Sequence, residues 1–502
     1  MSSMARRNDV WFGWSSDSAH QVQIRTKSEY QSLQTYTLDK QRSYKQQYGD
    51  MYFLRLTKIR PAVEAVASAA WAGTTIAGEE AKRVDRVLDV KQGELCWVVG
   101  TVFMAMPLKP DILEDVSKDR WISAPVLPDK YFADPKDREI MLEDDSGRVR
   151  LAGELLKTTN LTTGCIIAVM GTENTNGELE VIDIKVPDLP PQPERRADKK
   201  EDEDEEMGIS NGGGGGNKVA IVSGLLFSGS DASYSLELNL LLEFLLGEAL
   251  GPAAQADISR ISRLIVAGNS ISTAKMEVDA LTGDSVGNVK KRGGGAAAAT
   301  KKYGYDSSAY NAVPSQLFDE FLAELLPTMP VTLLPGEKDP ANTSYPQQPV
   351  HAALFPQSRE YGPTPGETGW LDAVTNPWDG RVDGWKILAT GGQNVDDAFK
   401  YVEGSDRLGM MEAMCRWRCC APTAPDTLWS YPFQDDDPFV LNECPHLYIV
   451  GNQPAFGTRT IHGPEGQTVR LITVPSFADT KEIVLVDTDT LDVSKVKIST
   501  VS

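Results

Sequence analysis

The sequence has little basic charge for its length. Its 502 residues include 50 Lys and Arg against 71 Asp and Glu, which gives a formal net charge of −21. Tight, sequence-independent binding of nucleic acid requires a basic surface that neutralises phosphates. We therefore expect little or no direct DNA binding by the chain as a whole, although a local basic patch is compatible with this composition.

The chain is also poor in metal-binding and membrane-spanning signals. There are four histidines, no run of 18 apolar residues, and six cysteines without any CxxC pair: Cys96, Cys165, Cys415, Cys419, Cys420 and Cys444. The first residues, MSSMARRNDVWFGWSSDSAH, contain no apolar segment typical of a signal peptide. We predict reduced, mostly buried thiols, no membrane span, and a protein of the cytoplasm or nucleus.

The amino-terminal third contains a tail, a helix and a group of strands. Residues 1–38 are polar and aperiodic, which predicts a flexible tail. An apolar stripe from Tyr48 to Val66 has helical spacing, with Arg60-Pro61 marking a kink or a second helix. Alternating segments between Glu94 and Val186 predict about five strands, a number that suits a small closed barrel such as an OB-fold. The helix and this barrel form a predicted domain at 39–190.

A linker separates this domain from the rest of the chain. Residues 191–217 combine prolines, an acidic run and five consecutive glycines, a composition that cannot bury enough apolar surface to fold. Beyond it, residues 218–502 alternate apolar strands with helices, which predicts a domain of mixed sheets flanked by helices. The low-complexity stretch at about 273–308, with KKRGGGAAAATKK, is predicted to be a disordered surface insertion.

The strands of this second domain end in loops where α/β proteins often bind ligands. The loops contain SGLLF, AGNSIS, PGEKD and VGNQPAF, whose order and spacing resemble the calcineurin-like metallophosphoesterases. That family holds two metals through Asp, Asn and His in these loops. The corresponding positions here are Gly224, Leu226, Asn269, Ser272, Lys338, Asp339, Asn452 and Pro454. Glycine and leucine side chains cannot bind metal, so the resemblance predicts a degenerate domain with no catalytic residue, metal ligand or cofactor.

Longer stretches of the chain are more specific, among them RSYKQQYGDMYFLRLTKIRP, VVGTVFMAMPLKPDIL, LPGEKDPANTSYPQQPVHAALFP and TNPWDGRVDGWKILATGGQNVDDAF. In these stretches the chain resembles the small subunit (B subunit) of replicative DNA polymerase delta. The resemblance implies an α/β plus β fold, in which an N-terminal OB-fold barrel is joined to a degenerate metallophosphoesterase-like domain.

This resemblance also implies a non-catalytic role in the nucleus. Such a protein bridges the C-terminal cysteine-rich, metal-containing domain of the polymerase delta catalytic subunit to a third subunit that reaches the sliding clamp. In related polymerases the same small subunit is shared with the catalytic subunit of polymerase zeta, so that partnership is implied as well. The resemblance does not assign individual partner-binding residues.

Two other functions stay open at this point. One is an active metal-dependent phosphodiesterase or nuclease. The other is a single-strand DNA binder, which would need aromatic platforms such as Trp97, Phe103 and Trp121 in the barrel.

Three local features also permit two interpretations each. Lys338 either pairs with Asp339 or Glu337 in place of lost metal charge, or faces solvent. The basic residues around Lys290 and Lys301 form either a nuclear-import patch or a solvated loop, and the cysteines of CRWRCC are either buried thiols or metal ligands.

Overall fold

A computed structural model describes residues 24–43, 47–110, 128–195, 216–229, 231–248, 250–272 and 311–499. Within these residues the strands form three six-stranded sheets and one two-stranded hairpin. None of the helices described is both long and apolar enough to cross a bilayer. The predicted insertion at about 273–308, its basic residues, and Trp121 lie outside the described residues.

The strands, in chain order, are β1 (Tyr30–Ser32), β2 (Thr75–Ile76), β3 (Glu79–Glu80), β4 (Lys82–Arg83), β5 (Leu95–Ala105), β6 (Glu139–Glu143), β7 (Arg148–Ala152), β8 (Ile166–Glu173), β9 (Glu178–Lys185), β10 (Lys218–Val222), β11 (Ile261–Ala267), β12 (Val331–Leu334), β13 (Leu371–Ala373), β14 (Trp378–Val382), β15 (Trp385–Thr390), β16 (Leu447–Gln453), β17 (Gly457–His462), β18 (Thr468–Pro475), β19 (Glu482–Asp487) and β20 (Val493–Lys497). The α-helices are α1 (Gly49–Trp71), α2 (Leu155–Thr158), α3 (Ala232–Leu246), α4 (Pro252–Ile258), α5 (Val313–Leu325), α6 (Gln393–Phe399), α7 (Arg407–Arg416) and α8 (Phe477–Thr480).

The first domain is a closed barrel of five strands, and the two-residue strand β4, paired with β5, is the sixth strand of its sheet. Strand β5 pairs with both β6 and β8, and the remaining order is β6-β7-β9-β8, so the sheet returns to its starting strand. This is the strand order of an OB-fold, and it confirms the five strands predicted from sequence. Strand β5 is buried along most of its length because one face lines the barrel and the other packs against α1.

Helix α1 runs unbroken through Pro61, which lies on its exposed face. Its buried face meets Trp97 and Val99 of β5 and Ile166 of β8 in one apolar cluster. The alternative of a second helix starting at Pro61 is therefore wrong.

The second domain is a sandwich of two six-stranded sheets. One sheet has the order β13-β12-β11-β10-β19-β20 and the other β1-β14-β15-β16-β18-β17. Their facing sides form an apolar layer that includes Ile221, Ile265, Leu334, Ile449 and Ile472. Helices α3 and α5 cover the outer face of the first sheet, and α7 packs against β17 and β18 of the second.

The barrel and the sandwich share a hydrophobic core. One cluster of buried side chains extends from Val98 and Leu142 of the barrel to Tyr401 and Met411 beside the second sheet. At this junction lies Arg55 of α1, which is 1% exposed. Its Nε donates to Oδ2 of Asp437 at 2.8 Å and its Nη1 to the carbonyl of Pro422 at 2.7 Å.

The residues before α1 are bound to the sandwich, which corrects the prediction of a flexible tail over residues 1–38. Strand β1 pairs antiparallel with β14 at the edge of the second sheet, and Tyr36 is 3% exposed within the shared core. Only residues 1–23 of that predicted tail lie outside the described residues. The polar composition of this segment did not predict its ordered structure. Its few apolar residues pack against a sheet formed by another part of the chain and do not form a core of their own.

The start of the predicted linker is bound as well. Gln192 donates to the carbonyl of Thr468 at 2.7 Å, and the Arg195 guanidinium lies 4.4 Å from the ring centroid of Trp385. Residues 191–195 therefore belong to the sandwich surface, contrary to the predicted boundary. Residues 196–215 lie outside the part of the chain that the structure describes.

We expect the buried ion pair to hold the domain junction together. Arg55→Met should lower the free energy of unfolding by about 3–5 kcal/mol, because it leaves the Asp437 carboxylate buried without its cation. Lys58→Met is the matched control: Lys58 lies on the same helix and pairs with the exposed Asp436, so its loss should cost less than about 1 kcal/mol. Urea denaturation of both variants measures the difference, and equal losses would contradict this role.

His446 should make stability sensitive to acid. The backbone N–H of Lys386 donates to Nδ1 of His446 at 3.1 Å, and burial lowers the pKa of this imidazole. Because the folded pKa lies below the unfolded value of about 6.5, the contribution is present above pH ~6.5 and is lost as the pH falls through the folded pKa. Denaturation at a series of pH values should show this pH-dependent contribution to the free energy of unfolding. It should disappear in His446→Gln and persist in the control His462→Gln, whose side chain is exposed.

Candidate functional site

The residues predicted at the strand ends lie at one edge of the sandwich. Gly224 and Leu226 follow β10, Asn269 follows β11, and Asp339 follows β12. Asn269 accepts at its Oδ1 from the N–H of Lys338 at 2.9 Å, and its carbonyl accepts from the N–H of Leu226 at 3.0 Å. The carboxyl ends of these parallel strands thus form one continuous loop surface, hereafter the strand-end site.

Of the remaining predicted positions, Asn452 and Ser272 lie beside this surface and Pro454 lies outside it. Asn452, at the end of β16, packs beside Gly224: a Cβ built on Gly224 would lie 2.8 Å from Oδ1 of Asn452. Ser272 donates its backbone N–H to the carbonyl of Phe227 at 3.0 Å. Pro454 is exposed and lines a separate groove with Arg407 and Phe456.

Glycine backbone fills the centre of the strand-end site. A Cβ on Gly268 would lie 3.1 Å from the Cα atoms of both Gly336 and Gly391, and one on Gly451 would lie 2.1 Å from the carbonyl oxygen of Ala267. Four strand ends therefore approach at a distance that only glycine permits. Backbone occupies the space into which side chains would otherwise project.

Asp339 is the acidic member of the predicted set and is 6% exposed. Its Oδ1 accepts from the N–H of Ile271 at 2.8 Å and its Oδ2 from the N–H of Gly336 at 2.7 Å. Burial raises the pKa of this carboxyl to about 6, against the opposing effect of the N–H donors. Asp339 therefore connects the loop after β11 to the loop after β12.

Neutral amide side chains complete the site, and sequence reasoning missed most of them. Nδ2 of Asn376 donates to Oε1 of Gln347 at 2.9 Å and to Oε1 of Gln393 at 3.0 Å, while Nε2 of Gln393 donates to Gln347 at 2.8 Å. Asn452 donates to the carbonyl of Gly391 at 2.9 Å. Their location in the sequence could have indicated them, because Gln347, Asn376 and Gln393 lie in the stretches YPQQP, TNPWDG and GGQN that carry the resemblance.

The hypothesis that Lys338 replaces lost metal charge is wrong. Its side chain is exposed, and within the described residues it makes no ion pair with Asp339 or Glu337. The physical reason is that backbone N–H groups already bind both oxygens of Asp339. Lys338 contributes its own N–H to Asn269 instead.

The cysteines and Trp97, considered as ligands or platforms, lie in the core, whereas Phe103 is half-buried. No group of three or more His, Cys, Asp and Glu side chains arranged for a metal occurs among the described residues. All six cysteines are buried and unpaired, as predicted, and burial raises the pKa of Cys419 to about 11. Trp97 is 5% exposed and packs on Trp71 of α1, with ring centroids 5.7 Å apart.

Comparison with known proteins matches both domains. Residues 47–184 match the family described as DNA polymerase delta subunit OB-fold domain, and residues 219–458 match the B-subunit family of DNA polymerases alpha and epsilon. The chain is 34% identical over 484 residues to the DNA polymerase delta small subunit of Saccharomyces cerevisiae, covering 91% of each chain. The chain belongs to the DNA polymerase delta small-subunit family.

Two further relatives cover nearly the whole chain. The DNA polymerase delta small subunit of Arabidopsis thaliana is 35% identical, covering 96% of this chain and 98% of the relative. DNA polymerase delta subunit 2 of Drosophila melanogaster is 33% identical, covering 95% and 98%. The OB-fold match spans α1 and all five barrel strands, so the family assignment and the fold agree.

For this member of the delta small-subunit family, we expect Asp339 to be required for stability. Asp339→Ala should lower the free energy of unfolding by about 2 kcal/mol or more, because it leaves two buried N–H groups without an acceptor. Glu337→Gln, two residues away and exposed, is the control and should change stability by less than about 0.5 kcal/mol. Chemical denaturation of the two variants checks this, and a stable Asp339→Ala would rule out a stabilising role.

Proposed function

We propose that the chain is a non-catalytic accessory scaffold of the DNA polymerase delta complex. On one surface it would hold the C-terminal cysteine-rich, metal-containing domain of the catalytic subunit, and on another the third subunit that reaches the sliding clamp. The observation that carries the proposal is the hydrophobic core shared by barrel and sandwich. A body without an internal hinge keeps two bound partners at a fixed separation.

The sandwich is, in this proposal, a phosphodiesterase-like scaffold whose metal chemistry has been lost. A two-metal centre needs several carboxylate or imidazole ligands that converge on the ions. The strand-end site instead presents glycine backbone, amides and Asp339, whose two oxygens already accept from backbone N–H groups. This arrangement favours a structural role over phosphodiester hydrolysis.

The acidic composition and the burial of Trp97 support a function through protein contacts rather than DNA binding. A net charge of −21 opposes a phosphate backbone, and Trp97 is packed in the core. We assign the protein to the nucleus, in replication and repair synthesis, with the catalytic subunit of polymerase zeta as a second partner by family resemblance.

Helix α1 is a candidate contact region because it presents aromatic side chains to solvent. Phe53 is 54% exposed, and Tyr48 precedes the helix with its hydroxyl accepting from Nε1 of Trp429, which is itself 56% exposed. Aromatic residues are enriched in the cores of protein interfaces. The catalytic subunit's C-terminal domain is the occupant that we assign to the surface around Tyr48 and Trp429.

Light scattering on the chain co-expressed with that C-terminal domain tests the proposal. We expect a stable one-to-one complex that Trp429→Ala weakens at least tenfold without lowering the melting temperature of the free chain. Leu236→Ala is the control, since Leu236 is equally exposed on α3. Two folded proteins that elute apart at micromolar concentration would contradict the scaffold function. A complex unaffected by Trp429→Ala would contradict only the assigned surface.

A further inference from the structure

We propose that a cavity at the amino ends of β11 and β12 binds the phosphate group of a mononucleotide. The cavity has a volume of about 470 Å³ and lies between residues 25–30, the start of β11, the turn before β12 and the loop at 366–370. Because β11 and β12 end at the strand-end site, the cavity is at the opposite edge of the same sheet. It is therefore independent of the strand-end site and of the proposed scaffold function.

The charge of this cavity is opposite to that of the protein. Three cationic side chains, Arg25, Lys27 and Arg263, line it, against one acid, Glu367. Five Ser and Thr side chains that could accept or donate hydrogen bonds also line it: Thr26, Ser28, Ser262, Thr328 and Thr368. A cationic, hydroxyl-rich concavity in a protein of net charge −21 indicates a site for an anion.

Arg263 is the central group of the cavity. It is 4% exposed, and its Nη1 donates to Oγ1 of Thr332 at 3.0 Å, but its Nε is buried without a hydrogen-bond partner. Among the described residues no carboxylate forms an ion pair with it. Asp372 and Asp383 act on it only at longer range. Oδ2 of Asp372 accepts from the hydroxyl of Tyr30, whose ring centroid lies 3.5 Å from the guanidinium.

A buried cation with an unsatisfied N–H and no paired carboxylate is costly. An anion in the adjoining cavity would offset the cost of the unpaired charge, because phosphate and guanidinium attract each other and their hydrogen-bonding geometries match. Ser28 strengthens the case, since its Oγ is also buried without a partner and comes from a different segment lining the same cavity.

Arg25 supplies a second guanidinium that is already held in place. Its Nη2 donates to the carbonyl of Leu245 at 2.6 Å and its Nη1 to that of Ile261 at 2.9 Å. The helix carbonyls offset part of the charge through the helix dipole, but among the described residues no carboxylate pairs with Arg25. Two positioned cations beside one cavity favour a ligand with more than one negative charge. A phosphate monoester therefore fits the cavity better than a ligand with a single carboxylate.

Trp370 distinguishes a nucleotide from phosphate alone. It lines the cavity with 41% of its surface exposed, so its ring is available for stacking with a base. Base stacking on an aromatic side chain stabilises binding and tolerates any base. The volume also lies within the usual range for a small-ligand site.

Isothermal titration of the full chain at constant ionic strength, with adenosine monophosphate, inorganic phosphate and adenosine as probes, tests the proposal. We expect saturable binding of the nucleotide, at least tenfold weaker binding of phosphate, and weaker binding again of adenosine. Arg263→Gln should weaken nucleotide binding at least tenfold. It should leave the melting temperature of the free chain unchanged or raised, because it removes an unpaired buried charge. Trp370→Ala should reduce nucleotide affinity to that of phosphate.

Arg260→Gln is the matched control: Arg260 lies three residues before Arg263 but pairs with Asp257 and Asp487 and does not line the cavity. Its nucleotide affinity should equal that of the unsubstituted chain. The proposal is overturned if the unsubstituted chain shows no saturable response to the nucleotide, or if Arg263→Gln binds it equally well. Equal affinity for nucleotide and phosphate would overturn the assignment of a nucleotide.

Discussion

The contact between Arg55 and Asp437 is the constraint on which the arrangement of the two domains depends. The two residues are 382 positions apart in the chain, and each is almost inaccessible to solvent. A buried cation can be accommodated only where carboxylate and carbonyl oxygens are fixed around it, so α1 must meet the loop at 422–437 in one geometry. Because α1 also covers the barrel, this geometry fixes the barrel against the sandwich. The shared apolar core surrounds this junction.

At the strand-end site the same loops that could carry catalytic groups are used to bind one another. Glycines bring four strand ends into contact, and the amides of Gln347, Asn376 and Gln393 satisfy each other's hydrogen bonds. Asp339 uses its charge on backbone N–H groups. These contacts stabilise the sandwich at the strand-end site. The proposed scaffold function would therefore depend on the outer surfaces of the two domains.

Much of this fold could be predicted from the sequence because it depends on local periodicity. The five barrel strands and the parallel strands β10, β11 and β12 were predicted from alternating or continuous apolar runs. The binding of residues 24–38 could not be, since β1 has three residues and is stabilised by pairing with a strand about 350 positions away. The amide network and the exposure of Lys338 were equally inaccessible, because they depend on which oxygens the neighbouring backbone already satisfies. Local sequence patterns indicate helices and strands, whereas the hydrogen-bond partners of polar side chains depend on contacts between loops that are distant in the sequence.

The shared core implies that barrel and sandwich form a single cooperative body. Differential scanning calorimetry of the full chain tests it most directly, because a shared core cannot unfold in one domain while the other remains intact. We predict one transition whose calorimetric enthalpy equals its van't Hoff enthalpy. Two separated transitions, with the barrel unfolding while the sandwich stays folded, would contradict the account.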